Sequence, residues 1–334
     1  MRKFDHGGMI RGRDIRLDFS VNTNPLGMCG EVKKAAQEAA DLYEKYPDPK
    51  YTDLKNAIAE YENVNAENIA VSNGASEMIF AAVRAVMPKR AAMAAPCFSE
   101  YERALLSVGC EIAFYDTCEE NNFEVCGDLL KIAEGADMVF LTNPNNPTGT
   151  LINDTIIDAL PKTDAVCVMD ECFLPFTDGK SAKGKIPVIK AFTKTHAMAG
   201  LRLGYMIADA EFTERVNAQL PAWNVNAAAA AAAIAACGCD GHIKKAREII
   251  KEEREYLGGE FSRLGFKVFK SDANFILIKG KEGVGEALLR RGILIRECDN
   301  FRSLNGRFYR VAVKTRKENE IFIRELGEVM WQMR

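Results

Sequence analysis

The chain is organised around the segment Phe192-Thr-Lys-Thr-His-Ala-Met-Ala-Gly-Leu-Arg-Leu-Gly-Tyr205. It places Lys194 among small and apolar residues, where loss of hydration lowers the pKa of the amine and lets it form a Schiff base with an aldehyde. Arg202 follows eight residues later and offers a planar cation suited to a phosphate. A ligand with an aldehyde and a phosphate, such as pyridoxal 5'-phosphate (PLP), fits this pair. The alternative is a buried strand with a snorkelling lysine and a surface arginine.

The overall composition limits the class of protein. The chain has 334 residues and 48% hydrophobic content, which is enough for a sizeable core and for more than one domain. Its 44 basic and 47 acidic residues give a net charge of -3, and the sequence has no basic block of the kind that nucleic acid requires. We therefore expect a small-molecule partner and no nucleic acid.

The cysteines and the apolar segments indicate where the protein works. The 10 cysteines are scattered, several of them in apolar runs, and form no repeated C-x-x-C pairs. This pattern predicts reduced thiols in the cytosol, with no disulfide framework and no metal site. The first residues lack the apolar region of a signal peptide, and no apolar stretch approaches the roughly 20 residues of a membrane span. We expect a cytoplasmic protein without a membrane partner.

Predicted helices and strands alternate from about residue 52 to residue 170. Such alternation predicts a largely parallel sheet with helices on both faces and a ligand beyond the carboxyl ends of the strands. The predicted strands are 69–72, 90–95, 111–116, 138–142 and 165–170. The predicted helices between them are 52–63, 76–87, 99–108, 127–134 and 153–160.

The pattern divides the chain into three parts. We expect residues 1–30 to form a turn-rich arm that packs on the active site and on the small domain, residues 31–239 to form a large ligand-binding domain, and residues 240–334 to form a smaller α+β domain. In the large domain we also predict helices at 31–46, 210–219 and 227–236 and strands at 195–199 and 203–208. In the small domain we predict helices at 242–264, 283–290 and 316–333 and strands at 266–269, 274–278, 292–297 and 307–313.

The segment Ser72-Asn-Gly-Ala-Ser-Glu77 lies between a predicted strand and a predicted helix. Gly74 lets the backbone approach a ligand, and the amides of the helix start, together with the Ser76 hydroxyl, can bind a phosphate. The alternative is an ordinary capping box, in which Ser and Glu satisfy the helix end.

Two further segments end predicted strands with polar residues. In Asn143-Pro-Asn-Asn-Pro-Thr-Gly149, two X-Pro bonds fix a loop that aims Asn146 into the cleft. In Val166-Cys-Val-Met-Asp-Glu171, the buried Asp170 requires a cationic partner. The pyridinium nitrogen of PLP is such a partner, and Asp170 would keep it protonated so that the ring accepts electrons. The alternative is a paired structural aspartate.

With these segments in this order, the chain resembles the fold-type I PLP enzymes of the aminotransferase superfamily along almost its whole length. Within that superfamily it resembles most the L-threonine O-3-phosphate decarboxylase family of cobamide biosynthesis, and next the histidinol-phosphate aminotransferases. Aminotransferases of that kind usually have tyrosine where Phe173 stands. The matching segments are His6-Gly-Gly8, Asp18-Phe-Ser-Val-Asn-Thr-Asn-Pro-Leu-Gly27, Asp170-Glu-Cys-Phe173, and Arg296 with Arg310 fourteen residues later.

The resemblance implies a fold and an assembly. The fold is α/β, namely the PLP-dependent transferase fold type I, with a mostly parallel sheet covered by helices on both faces, a smaller α+β C-terminal domain and an N-terminal arm. The assembly is a homodimer in which Tyr46, before the rigid Pro-Asp-Pro turn, reaches the active site of the neighbouring subunit.

The resemblance also implies roles for individual residues. Lys194 would carry the cofactor as a Schiff base, Asp170 would bind the ring nitrogen, Asn146 would donate to the 3'-oxygen, and Phe98 would stack on the ring, with Phe173 beside the cofactor. The residues implied for the cofactor phosphate are Gly74, Ala75, Ser76, Thr193 and Arg202, with Tyr46 from the partner. The residues implied for the phosphate and carboxylate of the substrate are His6, Gly7, Asn22, Asn146, Arg296 and Arg310.

Two positions depart from the family pattern. Relatives often have a hydroxyl residue at the position of Ala191, so that a phosphate contact is either missing or supplied by Thr193. His196 is more often aromatic or apolar in relatives, and we expect it to pack beside the site and not to act as a base.

The resemblance implies decarboxylation of L-threonine O-3-phosphate to (R)-1-amino-2-propanol O-2-phosphate and CO2. The outcome depends on which bond of the substrate Cα stands perpendicular to the cofactor ring. The arginines and the arm would select the bond to the carboxylate. If Lys194 removes the Cα proton instead, the reaction is transamination, as in histidinol-phosphate aminotransferases. A regulator with the same fold and no catalysis is a third alternative, although no appended DNA-binding domain is visible in the sequence.

Overall fold

The computed structural model describes residues 7–8, 12 and 14–333. In chain order the strands are β1 (Leu17–Asp18), β2 (Ile69–Ser72), β3 (Arg90–Ala95), β4 (Glu111–Asp116), β5 (Met138–Thr142), β6 (Val166–Asp170), β7 (Val188–Ala191), β8 (Gly204–Ile207), β9 (Lys267–Val268), β10 (Phe275–Lys279), β11 (Ile293–Leu294), β12 (Arg296–Glu297) and β13 (Phe308–Ala312). The α-helices are α1 (Gly30–Glu38), α2 (Thr52–Glu62), α3 (Ala75–Val86), α4 (Ser99–Ser107), α5 (Asp128–Ala133), α6 (Asp154–Ala159), α7 (Phe192–Thr195), α8 (Ala210–Asn217), α9 (Ala227–Cys237), α10 (Asp240–Arg263), α11 (Val284–Leu289) and α12 (Arg316–Gln332).

A seven-stranded sheet forms the centre of the molecule, in the order β2-β8-β7-β6-β5-β3-β4. All neighbours are parallel except β8, which runs antiparallel to both β2 and β7. Alternate residues of a strand point to opposite faces, so Val139 and Leu141 of β5 pack in one core cluster while Met138 and Phe140 pack in another. Helices α1, α2 and α9 contribute to the first cluster and α3, α4 and α8 to the second. The predicted α/β fold class is confirmed.

The C-terminal region has its own sheet and core. Its four strands are antiparallel in the order β12-β13-β10-β9, and α12 begins with a capping box formed by Thr315 and Glu318. The arm joins this region, because β1 pairs in parallel with β11 and Phe19 stacks on Phe322 with ring centroids 4.5 Å apart. The arm therefore reaches the ligand-binding cleft from a fixed position.

Two predicted elements differ from the structure in type or in length, and one strand was not predicted. The predicted strand 195–199 is wrong, because Phe192–Thr195 is a helical turn and Ala197 has a φ of +53°, which a strand does not adopt. The strand that precedes it, β7, was missed because it is short and contains the charged Lys190. The predicted helix 31–46 ends as an α-helix at Glu38 and continues only as a 3-10 turn to Leu42.

Two smaller features complete the fold. The predicted strand 292–297 is divided into β11 and β12, which pair with different sheets. Across the part of the chain that the structure describes, no helix is both long enough and apolar enough to cross a membrane.

Candidate active site

A cavity of about 430 Å³ opens where the parallel strands of the central sheet end. Thr142 and Asp170 are the last residues of β5 and β6, and Lys194 follows β7 within the helical turn α7. This is the edge at which parallel sheets bind ligands. Of the residues predicted for the site, those that line the cavity are Gly7, Asn22, Ala75, Ser76, Phe98, Asn146, Asp170, Phe173, Thr193, Lys194, Arg202, Arg296 and Arg310.

The backbone around Lys194 is held by the arm. The amide of Asn24 donates to the carbonyl oxygen of Lys194 at 2.9 Å, and the side-chain Nδ2 of Asn24 donates to the carbonyl oxygen of Thr195 at 2.8 Å. Burial lowers the pKa of Lys194 to about 8, and the charges of Arg310 and Arg202 act in the same direction. About a tenth of the amine is therefore neutral at pH 7 and about half at pH 8, whereas an ordinary lysine is almost wholly charged at both.

Asp170 lies at the floor of the cavity with both carboxylate oxygens engaged. The hydroxyl of Tyr101 donates to its Oδ2 at 2.8 Å, and the amide of Cys172 donates to its Oδ1 at 2.9 Å. Burial raises the pKa of Asp170 above its ordinary value, while these bonds and the charge of Lys194 oppose that rise. A cation bound against the carboxylate would favour the ionised form further.

One corner of the cavity has the chemistry of a phosphate site. The 12-residue helix α3 begins there, with Gly74 at its N-cap in a φ of +82° that favours glycine. A Cβ at Gly74 would lie 2.5 Å from Nη2 of Arg202, so the absence of a side chain lets the guanidinium reach the helix start. Ser76 and Thr193 add hydroxyl groups to the same cavity. Helix amides, hydroxyls and a guanidinium are the groups that bind a phosphate dianion.

The opposite wall carries a buried arginine that no carboxylate of the described residues meets. Arg310 is 7% exposed, and its guanidinium donates to Oδ1 of Asn146 and, at 2.8 Å, to the carbonyl oxygen of Ser20. Its Nε is buried without a hydrogen-bond partner. Burial lowers the pKa of Arg310 to about 10. A buried cation that contacts only neutral oxygens binds an anion favourably.

Arg296 lies next to Arg310. The two residues are directly opposite each other in the antiparallel pair β12 and β13, and both line the cavity. Arg296 donates to Oδ1 of Asn300 at 2.6 Å, and its guanidinium lies 5.3 Å from the centre of the Phe301 ring. The two arginines that the resemblance implies for the substrate therefore lie on adjacent strands of the same sheet.

The arm closes the same wall. Asn22 lines the cavity, and its Oδ1 is buried without a hydrogen-bond partner. A Cβ at Gly7 would lie 2.4 Å from the carbonyl oxygen of Ser20, so the arm passes this point only with glycine. The predicted contact from His6 lies outside the described residues.

The aromatic residues predicted for the site have different surroundings. Phe98 lines the cavity in edge-to-face contact with Tyr101, and Phe173 lines it in edge-to-face contact with Phe275. Tyr46 does not line the cavity of its own chain. Its side chain is 81% exposed and packs on Trp223 with ring centroids 4.7 Å apart.

The two departures from the family pattern lie beside the site. Ala191 is the buried last residue of β7, and Thr193, two residues later, lines the cavity. His196 is buried, contacts the Phe192 ring edge to face and bonds to Oγ1 of Thr195, while burial lowers its pKa to about 4. It lies outside the cavity lining, which agrees with a packing residue.

Sequence reasoning missed several cavity residues. Tyr101 is the most important, since it is fully buried, stacks on Phe140 and bonds Asp170. Its position three residues after Phe98, at helical spacing on α4, was the available signal. The other missed lining residues are Ser20, Val21, Ser99, Glu100, Thr142, Cys172, Ala199, Asn300 and Phe301.

The residues present fit PLP. An amine with a lowered pKa suits the aldehyde, the corner at Gly74 suits the phosphate, and the buried Asp170 suits the ring nitrogen. Asn146 also lines the cavity, and because its Oδ1 accepts from Arg310, its Nδ2 is the atom that could donate to a cofactor oxygen.

A fold with this sheet order and a lysine after the sixth strand of the central sheet, counted along the chain, defines a class of enzyme, and the sequence comparisons agree with it. The model of the family "Aminotransferase class I and II" matches residues 14–326, and the chain belongs to this family. The predicted superfamily is confirmed.

The chain is also similar to individual proteins within this family. A protein of Caldanaerobacter subterraneus subsp. tengcongensis, provisionally named a threonine-phosphate decarboxylase, is 38% identical over 98% of this chain and 94% of its own length. The threonine-phosphate decarboxylase of Salmonella typhimurium is 33% identical over 97% of this chain and 96% of its own length. Among solved structures, the histidinol-phosphate aminotransferase of Clostridium acetobutylicum has a TM-score of 0.88 at 31% identity and covers 95% of this chain and 99% of its own.

Proposed function

We propose that this chain is a PLP-dependent decarboxylase that converts L-threonine O-3-phosphate to (R)-1-amino-2-propanol O-2-phosphate and CO2 in cobamide biosynthesis. The observation that carries the proposal is the buried Arg310, which lines the cavity beside Arg296 and, among the described residues, donates hydrogen bonds to neutral oxygens and to no carboxylate. The similarity to threonine-phosphate decarboxylases over nearly the full chain supports the same substrate.

The substrate has two anionic groups close together, and the cavity wall has two adjacent arginines. We assign the carboxylate and the phosphate of the substrate to Arg296, Arg310 and the arm residues Gly7 and Asn22. Each charge-assisted contact to a desolvated anion contributes about 1.5–3 kcal/mol. Threonine without its phosphate should therefore be a poor substrate.

The remaining residues hold the cofactor and move protons. When bound, PLP supplies an electron sink that accepts the electron pair left on Cα as the bond to the carboxylate breaks. Asp170, held by Tyr101 and Cys172, would face the ring nitrogen and keep it protonated. Lys194 Nζ, whose pKa is about 8, can hold the proton that replaces CO2 on Cα.

Arg310 links the substrate wall to the cofactor. One Nη group donates to Asn146 Oδ1, and the other donates to the carbonyl oxygen of Ser20 on the arm. An anion that draws Arg310 toward itself therefore acts on the amide that we assign to the 3'-oxygen of PLP and on the arm. We propose that this arrangement fixes the carboxylate so that its bond, and not the Cα–H bond, is broken.

We further propose a homodimer in which Tyr46 contributes to the neighbouring site. Four large side chains near this position, Leu42, Tyr43, Tyr46 and Trp223, are between 46% and 81% exposed, which is typical of an interaction surface. Lys194→Ala and Tyr46→Phe chains, each inactive alone, should regain part of the activity after mixing and reassociation. A fully active monomer in sedimentation would contradict this arrangement.

The domain boundaries remain a proposal as well. We place the arm at 1–30, the large domain at 31–239 and the small domain at 240–334, with support from the central sheet at residues 69–207 and the antiparallel sheet at residues 267–312. The cytoplasmic location that we propose is supported by the 10 cysteines, all of which are free thiols.

The deciding experiment is product analysis with phosphothreonine, with and without 2-oxoglutarate. We expect CO2 and aminopropanol phosphate at the same rate in both cases. The second candidate, a histidinol-phosphate aminotransferase, is favoured by the fold likeness to the Clostridium acetobutylicum enzyme. If histidinol phosphate with 2-oxoglutarate is turned over faster than phosphothreonine releases CO2, the second candidate is correct.

A further inference from the structure

Two thiols meet where the arm ends and the C-terminal region begins. Cys29 is the N-cap residue of α1 and Cys239 is the N-cap residue of α10. Their sulfur atoms lie 3.0 Å apart, although 210 positions separate the residues in the sequence. A carboxylate oxygen of Glu31, in the first turn of α1, lies within 4.8 Å of both sulfurs. The sequence alone predicted no metal site, because the contact between the two cysteines arises only from the tertiary fold.

The charges around the pair favour a cation. The carboxylate of Glu31 lies within 4.8 Å of both sulfurs, and Asp240 follows Cys239 directly in the sequence. The Cys239 thiol donates to the carbonyl oxygen of Ala235 at 3.4 Å, so three oxygen or sulfur acceptors surround this position. A divalent cation would displace the thiol protons and attract the carboxylate at the same time.

We propose that Cys29, Glu31 and Cys239 bind one thiophilic divalent cation, of which Zn²⁺ is the best match, with water as a fourth ligand. Two thiolates and one carboxylate are ligands that zinc accepts in tetrahedral geometry. Two sulfurs on one zinc ion, each at about 2.3 Å, stand about 3.8 Å apart, so the pair needs to open by less than about 1 Å.

A disulfide is the competing use of the same thiols. It would need the sulfurs to approach to about 2 Å, and it would leave the Glu31 carboxylate without a role. The position of the carboxylate beside both sulfurs therefore favours the cation.

Bound metal would fasten the arm to the start of α10. The same junction is already joined by a hydrogen bond between His242 Nε2 and the carbonyl oxygen of Gly27 at 2.9 Å. Five residues before Cys29, Asn24 holds the backbone of Lys194. A cation at this site would stabilise the arm segment that forms one wall of the cavity. This site does not depend on the identity of the substrate.

The first test uses the tag-free holoenzyme, reduced, freed of metal by a chelator and dialysed against Zn²⁺. We expect one zinc ion per chain, and we expect zinc to slow alkylation of Cys29 and Cys239 by iodoacetamide. The exposed thiols of Cys118 and Cys126 serve as controls in the same sample, and their alkylation should be unchanged. Because this test uses the native chain, it does not depend on the folding of any variant.

Variants then assign the ligands. Cys29→Ser and Cys239→Ser should each weaken zinc binding by on the order of tenfold or more, and Glu31→Gln should weaken it less. Cys118→Ser is the matched control and should bind zinc as the native chain does. The proposal would be overturned if Cys29→Ser and Cys239→Ser both bound zinc as the native chain does. It would also be overturned if zinc did not slow the alkylation of Cys29 and Cys239. A native mass lower by two hydrogens, with a peptide that joins Cys29 to Cys239, would also overturn it and establish the disulfide.

Discussion

The charged groups on the two walls of the cavity differ in their hydrogen-bond partners. On the wall formed by the central sheet, Asp170 accepts hydrogen bonds from Tyr101 and Cys172, and the guanidinium of Arg202 lies against the N-terminus of α3. On the wall formed by the arm and the C-terminal region, the hydrogen-bond partners of the buried Arg310 among the described residues are neutral oxygens. We assign the first wall to the cofactor and the second wall, on which Arg296 and Arg310 lie side by side, to the anionic groups of the substrate.

This difference suggests that one wall determines the type of reaction and the other determines which substrate binds. The groups of the first wall can serve any reaction that stabilises charge on a substrate Cα, because we assign them to the cofactor and not to the substrate. The groups of the second wall come from segments far apart in the sequence and would contact the part of the substrate that varies. Substitutions on the two walls should therefore have separable effects on cofactor binding and on substrate binding.

The largest effect is expected from Lys194→Ala, which removes the amine that would hold the cofactor aldehyde. The purified variant should lack the visible absorption band of the bound cofactor, and turnover should fall below detection. Lys185→Ala is a suitable control, because Lys185 is on the surface in an ion pair with Asp158. A Lys194→Ala protein that still turns over substrate would remove the assigned role.

Arg296→Ala should weaken the binding of phosphothreonine to the second wall. Loss of one charge-assisted contact of about 1.5–3 kcal/mol corresponds to a tenfold to hundredfold weaker binding of phosphothreonine, at about 1.4 kcal/mol per tenfold. KM for phosphothreonine should rise by this factor, while KM for threonine, already high, should change little. Equal loss for both substrates would show that Arg296 does not contact the phosphate or select for it.

Tyr101→Phe removes one hydroxyl group from the first wall and so tests the role of the hydrogen bond to Asp170. The variant keeps the ring that stacks on Phe140 and loses the hydrogen bond that lowers the pKa of Asp170. Asp170 should then be less ionised, and we expect roughly a tenfold loss of kcat, because bonds to charged groups contribute about 1.5–3 kcal/mol. The dissociation constant of PLP should rise with it. A change in KM for phosphothreonine alone would be inconsistent with this role.

A smaller effect should appear in the pH dependence of cofactor attachment. With a pKa of about 8, Lys194 is mostly neutral above pH 8 and mostly charged below it. The rate at which PLP attaches to the apo protein should therefore rise with pH, reach half its maximum near pH 8 and gain only about twofold between pH 8 and 9. A free lysine derivative, measured as a reference, should continue to gain through pH 10. Parallel curves would exclude a lowered pKa at Lys194.

The sequence predicted those parts of the site that depend on local segments. Lys194, Asp170, Asn146 and the start of α3 follow directly from the ends of strands, so their convergence could be anticipated from the parallel sheet. Arg296 and Arg310 were placed by resemblance and by two strand predictions. The register that sets them opposite each other is visible only in the structure.

Other features depend on contacts that are distant in the sequence. Strand β7 was not predicted because it contains the charged Lys190. The structure shows why a lysine is tolerated in this strand: its Nζ lies 2.7 Å from Oε1 of the buried Glu62, and the same oxygen accepts a hydrogen bond from Tyr205. The pairing of Cys29 with Cys239 is of the same kind. Neither local propensity nor spacing carries information of this sort.

The most direct test of the division between the walls is Arg310→Ala, measured twice. We expect a tenfold to hundredfold rise in KM for phosphothreonine and a much smaller rise, below about threefold, in the dissociation constant of PLP, because Arg310 reaches the cofactor only through Asn146. Arg310→Lys, which keeps the charge and loses the planar group, should lie between the variant and the native chain. If Arg310→Ala weakens PLP as much as it weakens phosphothreonine, or leaves phosphothreonine unaffected, the second wall does not select the substrate and the account is wrong.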